Sequence, residues 1–331
     1  MKVRPLGDSG LRVPRIGLGL AALGRPGYIN LGHAADLNGD REVDALRERT
    51  HAVLDAAWEG GVRYFDAARS YGRAEEFLAG WLRRREISAE QAVVGSKWGY
   101  TYTAGWRVQA ETHEVKEHSP ERFRSQRAES DALLGAHLKL YQIHSATRTS
   151  GVLENRAVHA ALAELRADGV RVGLSLSGAE QGETLRHAIE IQWEGERLFD
   201  VVQATWNLLE RSAGPALAEA HAAGMGTIVK EALANGRLTA RNREPGFAER
   251  ATLLLQEAER LGTGVDALAL AAVLAQPWAD VVLSGAATTG QLRSNLTAVP
   301  VAWDTRAAEL LSTLAEPAAG YWETRSALPW N

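Results

Sequence analysis

The sequence predicts an α/β chain folded as a (β/α)8 TIM barrel, with an N-terminal β-hairpin plug and long loops at the C-terminal face of the strands. Three observations predict it. Short apolar runs alternate with longer helical segments from about Val13 to about Asn295, which is the pattern of βαβ units and a parallel sheet. Eight such runs are present, enough to close a barrel. The glycine-rich GLGLAALG after the first run has no helix directly behind it, so it reads as a tight strand exit and not as the dinucleotide fingerprint of an open doubly wound sheet.

The elements follow in chain order. The segments KVRPLG and SGLRVP, turning at Asp8-Ser9-Gly10, read as the hairpin. The barrel strands read VPRIGLG from Val13, VRYFD from Val62, AVVGSK from Ala92, LKLYQIH from Leu138, VRVGLSLS from Val170, DVVQAT from Asp200, GTIVK from Gly226 and DVVLSG from Asp280. Helices are expected over Arg47–Glu59, Ala74–Arg85, Pro120–Leu134, Leu153–Ala167, Glu180–Glu190, Pro215–Ala222, Phe247–Leu261 with Asp266–Gln276, and Gln291–Ala298. The fourth of these places Ala161, Leu162 and Leu165 on one face, and Gly169 supplies its stop. The stretches Arg25–Asp44 and Trp98–Ser119 and the tail from Pro300 exceed ordinary connections, and loops of that length are usually functional or mobile. No linker or repeat divides the chain, so residues 1–331 are expected to form one domain.

Apolar residues make up 45% and charged residues 24% of the chain, close to globular averages, which argues against a disordered, fibrous or membrane-embedded protein. A net charge of −4 with both signs scattered leaves no electrostatic footprint for nucleic acid or an acidic membrane. The absence of cysteine excludes disulfides and thiolate chemistry and suits a reducing compartment. The N-terminus is broken by Pro5, Gly7 and Gly10 where a secretion signal needs an apolar stretch, so the cytoplasm is the expected location.

Reacting groups in such a barrel sit where strands end. Asp66 closes the second strand, Lys97 the third and His144 the fourth, while Tyr71 lies in the loop after Asp66. Neighbouring strands bring these four together. A tyrosine, a lysine, a carboxylate and a histidine suit carbonyl reduction, because a hydride arriving at carbon leaves an alkoxide that must take a proton. Tyr71 would supply the proton, Lys97 would lower the phenol's pKa, Asp66 would hold Lys97, and His144 would orient the substrate oxygen.

These residues stand in motifs that resemble the aldo-keto reductases across nearly the whole chain: LGDSGLRVPRIGLG, GVRYFDAARSYG with AEEFLAGWL, GSKWG, YQIH, GLSLSG, VVQATWN and SGAATTGQLRSNL. The resemblance implies that Asp66, Tyr71, Lys97 and His144 are the catalytic tetrad of a reductase of aldehydes, ketones or sugar-like carbonyls, working in either direction. It implies an extended nicotinamide cofactor across the barrel mouth, with Ser175 and Gln203 at the carboxamide and Gly19, Leu20 and Ala21 at the nicotinamide ribose. Leu233 to Leu238, Gly236 included, would follow the pyrophosphate, and Gly285 to Asn295, with Thr289 and Gln291, would enclose the adenosine. NADP(H) is favoured over NAD(H) by the resemblance. The chain departs from the pattern in three places: Leu176 stands where asparagine is common, Lys230 where an aromatic stacks on nicotinamide, and the last segment lacks the usual cations for a 2′-phosphate, leaving Arg293, Thr288 and Thr289 as the nearest candidates.

Each residue alone has a plainer explanation, since an aspartate before a loop is often a cap and a buried tyrosine or histidine usually satisfies a core hydrogen bond. Three at successive strand ends, with Tyr71 in the loop beside them, outweigh those readings. No histidine spacing suggests a metal site, and His113 with His118 reads as an exposed loop pair. Tyr28, Trp98 and Trp206 are candidates for the substrate pocket, with Trp106 beside them. Two other classes stay open: a cofactor-binding sensor or auxiliary subunit with little turnover, and a barrel lyase or isomerase using the Lys97 amine as an imine.

Overall fold

Eight parallel strands close on themselves in the computed structural model, which describes residues 1–331. Outside the barrel lie three two-stranded ribbons. The first, β1 (Val3–Pro5) with β2 (Arg12–Pro14), precedes the barrel strands β3 (Ile16–Gly19), β4 (Tyr64–Asp66) and β5 (Val93–Trp98). A second ribbon, β6 (Tyr100–Tyr102) with β7 (Glu114–Lys116), interrupts before β8 (Leu138–Ala146) and β9 (Arg171–Leu176). A short third ribbon, β10 (Gln192–Trp193) with β11 (Glu196–Arg197), leads to β12 (Val201–Thr205), β13 (Gly226–Lys230) and β14 (Val281–Ser284), and β14 pairs back onto β3.

Twelve helices accompany them: α1 (His33–Asp36), α2 (Val43–Glu59), α3 (Ala74–Arg84), α4 (Pro120–Leu134), α5 (Arg156–Ala167), α6 (Gln181–Ile189), α7 (Gly214–Ala222), α8 (Ala248–Arg260), α9 (Val265–Leu274), α10 (Thr289–Leu296), α11 (Thr305–Ser312) and α12 (Ala318–Ser326). Several ends are set by side chains that periodicity does not register. Ser119, Asn155, Thr288 and Asp304 accept from backbone N–H groups at the starts of α4, α5, α10 and α11. That is why α5 begins at Arg156 and not at Leu153, and why α10 begins ahead of Gln291. None of the helices is long and apolar enough to cross a membrane.

The main core, 58 buried residues, lies between the strands and the helices around them. A smaller cluster fills the barrel interior, where Tyr64, Leu140, Val201, Ile228 and Val281 meet Leu6 and Val13 of the first ribbon. The ribbon therefore plugs the barrel, and Val13, expected to open the first barrel strand, belongs to the plug. Gly7 shows why its turn is possible: it has φ +50, and a Cβ there would run into the backbone of Met225 and Gly226. Above this apolar layer the lumen turns polar, with Asp66, Gln142 and Gln203 buried, and this polar layer is the floor of the cleft.

Candidate active site

The four predicted groups converge at the carboxyl ends of β4, β5 and β8. Asp66 is the last residue of β4 and Lys97 lies near the end of β5, with side chains 2% and 1% exposed. The two are ion-paired. Lys97 Nζ also donates to the Ala67 carbonyl at 3.0 Å and to the Tyr71 hydroxyl at 3.3 Å. Asp66 accepts besides from the Tyr64 hydroxyl at 3.1 Å and from Gln203 Nε2 at 2.8 Å. The buried carboxylate and ammonium thus satisfy each other, as burial of charge demands. Tyr71 is brought over them by a close backbone approach: a Cβ on Gly24 would strike the Tyr71 carbonyl, and Arg73 N–H donates to Gly24 O at 2.7 Å.

His144 stands edge-on to the Tyr71 ring, centroids 5.5 Å apart. The β8–β9 register breaks between Ile143 and Ala146, and Ser145 there takes a left-handed φ of 51°, an irregularity of the kind that re-aims side chains beside active sites. Two bonds hold the kink. Ser145 N–H donates to Ser175 Oγ at 2.8 Å, and the His144 carbonyl accepts from His118 Nε2 at 2.9 Å. Ser70 Oγ lies 3.4 Å from His144 Nδ1. With Ser70 as donor, Nε2 carries the ring hydrogen. Burial first, then the cations of Lys97 and Lys230, pushes the imidazole well below its ordinary range, so it is neutral.

The phenol behaves differently from the expectation. Lys97 was expected to lower the pKa of Tyr71, but burial first, then the Asp66 carboxylate, pushes it well above its ordinary range, with Arg25 pulling the other way. The Tyr71 hydroxyl therefore keeps its proton. Arg25, which the sequence did not single out, is 2% exposed, places its guanidinium 5.3 Å from the Tyr71 ring centroid and pairs with Glu114 of β7. Only the length of its loop had pointed to this region.

A cleft of about 920 Å³ opens from the tetrad, within the size range of small-molecule and cofactor sites. Asp66, Tyr71 and His144 line one end, with Tyr28, Tyr100, Lys116 and Trp330 beside them. Gly19, Ala21, Ser175, Gln203, Lys230, Leu233, Gly236, Gly285, Gln291 and Asn295 line it further along. Several predicted positions do not line it, Lys97 and Trp106 among them. Trp98 is fully buried against Phe123 and His118, and Trp206 packs on Trp278 behind β12. Leu20 is fully buried, and Thr289 begins α10 outside the cleft. The loop pair is also corrected, since His118 packs beneath His144 while His113 stacks on Trp330 with centroids 3.9 Å apart.

Lys230, left without an account by its sequence context, donates to Thr205 Oγ1 at 2.8 Å and Ser177 Oγ at 3.3 Å. Burial lowers it to about 8 despite Glu231. Glu231 in turn is pushed up by burial, but Arg325 and Lys230 outweigh that and hold it at about 2. The donor set suits a dinucleotide: Ser175 and Gln203 can meet an amide near the tetrad, and at Gly285, where a Cβ would meet nothing within 4 Å, the groove is open to a ligand.

A parallel barrel with a buried Lys–Asp pair bonded to a tyrosine hydroxyl, at one end of a cofactor-sized cleft, fits a class: a barrel oxidoreductase. The sequence model of the aldo/keto reductase family matches residues 15–315, and the chain belongs to that family. Over 268 residues it is 28% identical to pyridoxal 4-dehydrogenase of Microbacterium luteolum, covering 72% of each chain. Over 250 residues it is 26% identical to D-threo-aldose 1-dehydrogenase of Pseudomonas sp, covering 71% of this chain and 70% of that one. Its fold is similar to that of the holo form of the aldo-keto reductase AKR11C1 from Bacillus halodurans, with a TM-score of 0.73, 22% identity and coverage of 96% and 97%.

Proposed function

We propose that this protein reduces the carbonyl of a small aldehyde, ketone or sugar-like compound, or oxidises the matching alcohol, with Tyr71 as general acid and base. The observation that carries the reading is Lys97 Nζ bridging Asp66 and the Tyr71 hydroxyl at the wall of the cleft. Ser175, Gln203 and the cleft beyond them would hold a nicotinamide dinucleotide, which when bound would supply or take the hydride. Tyr71 gives its proton to the substrate oxygen as negative charge develops there, and takes it back in the reverse direction. Lys97, fixed by Asp66, stabilises the phenolate left behind. His144, neutral and presenting Nε2–H, donates to the same oxygen and sets its position.

The polar rim of Ser145, Thr147, Ser177, Lys116 and Ser326 favours a hydroxylated substrate, in keeping with relatives named for pyridoxal and aldose dehydrogenation. The cysteine-free composition supports a reducing cytoplasm. The expectation of NADP(H) meets, at the cleft's far end, an arginine, Arg241, already paired with Asp36. Imine chemistry at Lys97 is disfavoured because its amine is engaged by Asp66, Ala67 and Tyr71. The decisive variant is Tyr71→Phe, assayed over a carbonyl panel with cofactor binding followed in parallel. Turnover should fall by about 10²–10⁴ while cofactor affinity holds. A variant that keeps most of its activity would remove Tyr71 from the mechanism.

A further inference from the structure

The reacting ring of the cofactor must lie at the Tyr71 end of the cleft, so an extended dinucleotide leaves its adenosine half at the other end. There Asp36, at the end of α1 in the long loop after β3, lines the cleft with a side chain only 7% exposed. Its carboxylate accepts a forked pair from Arg241, at 2.8 and 2.5 Å, and a third bond from Gln291 Nε2 at 2.9 Å. The Gln291 amide is pinned in that sense because its Oε1 accepts from Ala287 N–H at 2.8 Å. Arg241 is therefore held by Asp36, and with Asp266 also in the lining the carboxylates here outnumber the cation.

The groups that the sequence offered to a 2′-phosphate are elsewhere. Arg293 is exposed and outside the cleft, and the Thr288 hydroxyl is occupied as the cap of α10. Asp266 adds a second carboxylate to the lining, while Leu255, 51% exposed, offers apolar area on α8, which packs on α9 and through it on α10. A carboxylate facing a ribose accepts a hydroxyl hydrogen and repels a phosphate on the same carbon.

We propose that Asp36 makes the adenosine end selective for NAD(H), accepting the ribose 2′-hydroxyl and excluding the 2′-phosphate of NADP(H). This rests on the reading of the cleft as a dinucleotide site and reverses the preference that family resemblance implies. The test is titration of the purified protein with NADH and NADPH, without substrate, by calorimetry or tryptophan quenching. NADH should bind at least about tenfold more tightly, because a carboxylate beside the 2′-phosphate opposes it. Asp36→Ser should narrow the ratio chiefly by strengthening NADPH, and Gln291→Arg, which leaves α1 intact, should do the same by adding a cation. Equal affinities in the wild type, tighter NADPH, or ratios unmoved in both variants would overturn the proposal while leaving the dinucleotide reading intact. Binding of neither cofactor would instead remove the dinucleotide reading, and the proposal with it.

Discussion

Tyr71, Lys97 and His144 divide protons and charge among themselves in a way that two measurements expose. Since burial and neighbouring cations hold the His144 imidazole neutral, its ring signals in NMR should not titrate between about pH 5 and 8, the interval where an ordinary histidine changes charge. A titration near the usual midpoint would mean that Nε2 is solvated and not held for the substrate. Lys97→Met should reduce turnover by roughly 10²–10⁴ and leave His144 neutral, because burial is the larger cause. Lys97 and His144 were legible as polar strand ends, and Tyr71 by its place in the loop just after one. Arg25 was not, since an arginine in a loop announces nothing until Tyr71 and Glu114 are seen packed against it.

The loops at the barrel mouth form an element of their own. Tyr28 and Asn331 exchange backbone hydrogen bonds at 3.2 and 3.1 Å, and Trp330 stacks on His113 and lies 4.7 Å from the Arg25 guanidinium. The two long loops and the tail thus meet over the tetrad. Trp330→Ala should lower kcat/KM by about tenfold with little change in thermal midpoint, since the ring closes a rim and not a core. Beneath them, Glu231 is lowered to about 2 in the folded chain against an ordinary value near 4.5. A carboxylate depressed in this way adds stability above its unfolded pKa, and that stability is lost as pH falls from about 4.5 toward 2. Glu231→Gln should flatten this part of a pH–stability curve measured by urea unfolding. The lengths of these loops were visible in the sequence; their mutual contacts, between residues some 300 apart, were not.

At the scale of the whole molecule the plug closes the bottom of the barrel and supports the floor of the site, because Leu6 and Tyr64 share one cluster and the Tyr64 hydroxyl donates to Asp66. Gly7→Val would force a β-branched side chain into a left-handed conformation against the backbone of β13. It should destabilise the protein by roughly 2–4 kcal/mol, read from urea denaturation, and lower activity only in proportion to unfolding at the assay temperature. The alternation of eight apolar runs with helices made the barrel readable, because period and length are local properties. Helix ends slipped where caps such as Asn155 and Thr288 decided them, and α11 and α12 were not anticipated within the tail.

The chain's order of residues determined the barrel, its plug and the four groups at or just beyond the strand ends, since strand closure follows from local pattern and carries those positions to one rim. Only the folded arrangement decided which groups share the cleft and what charge each bears. It buried Trp98 and Trp206, raised the Tyr71 phenol where a lowered one was expected, and set Asp36 against Gln291 where a phosphate-binding cation was sought. Proximity and desolvation depend on what the rest of the chain brings near, and no local pattern contains that.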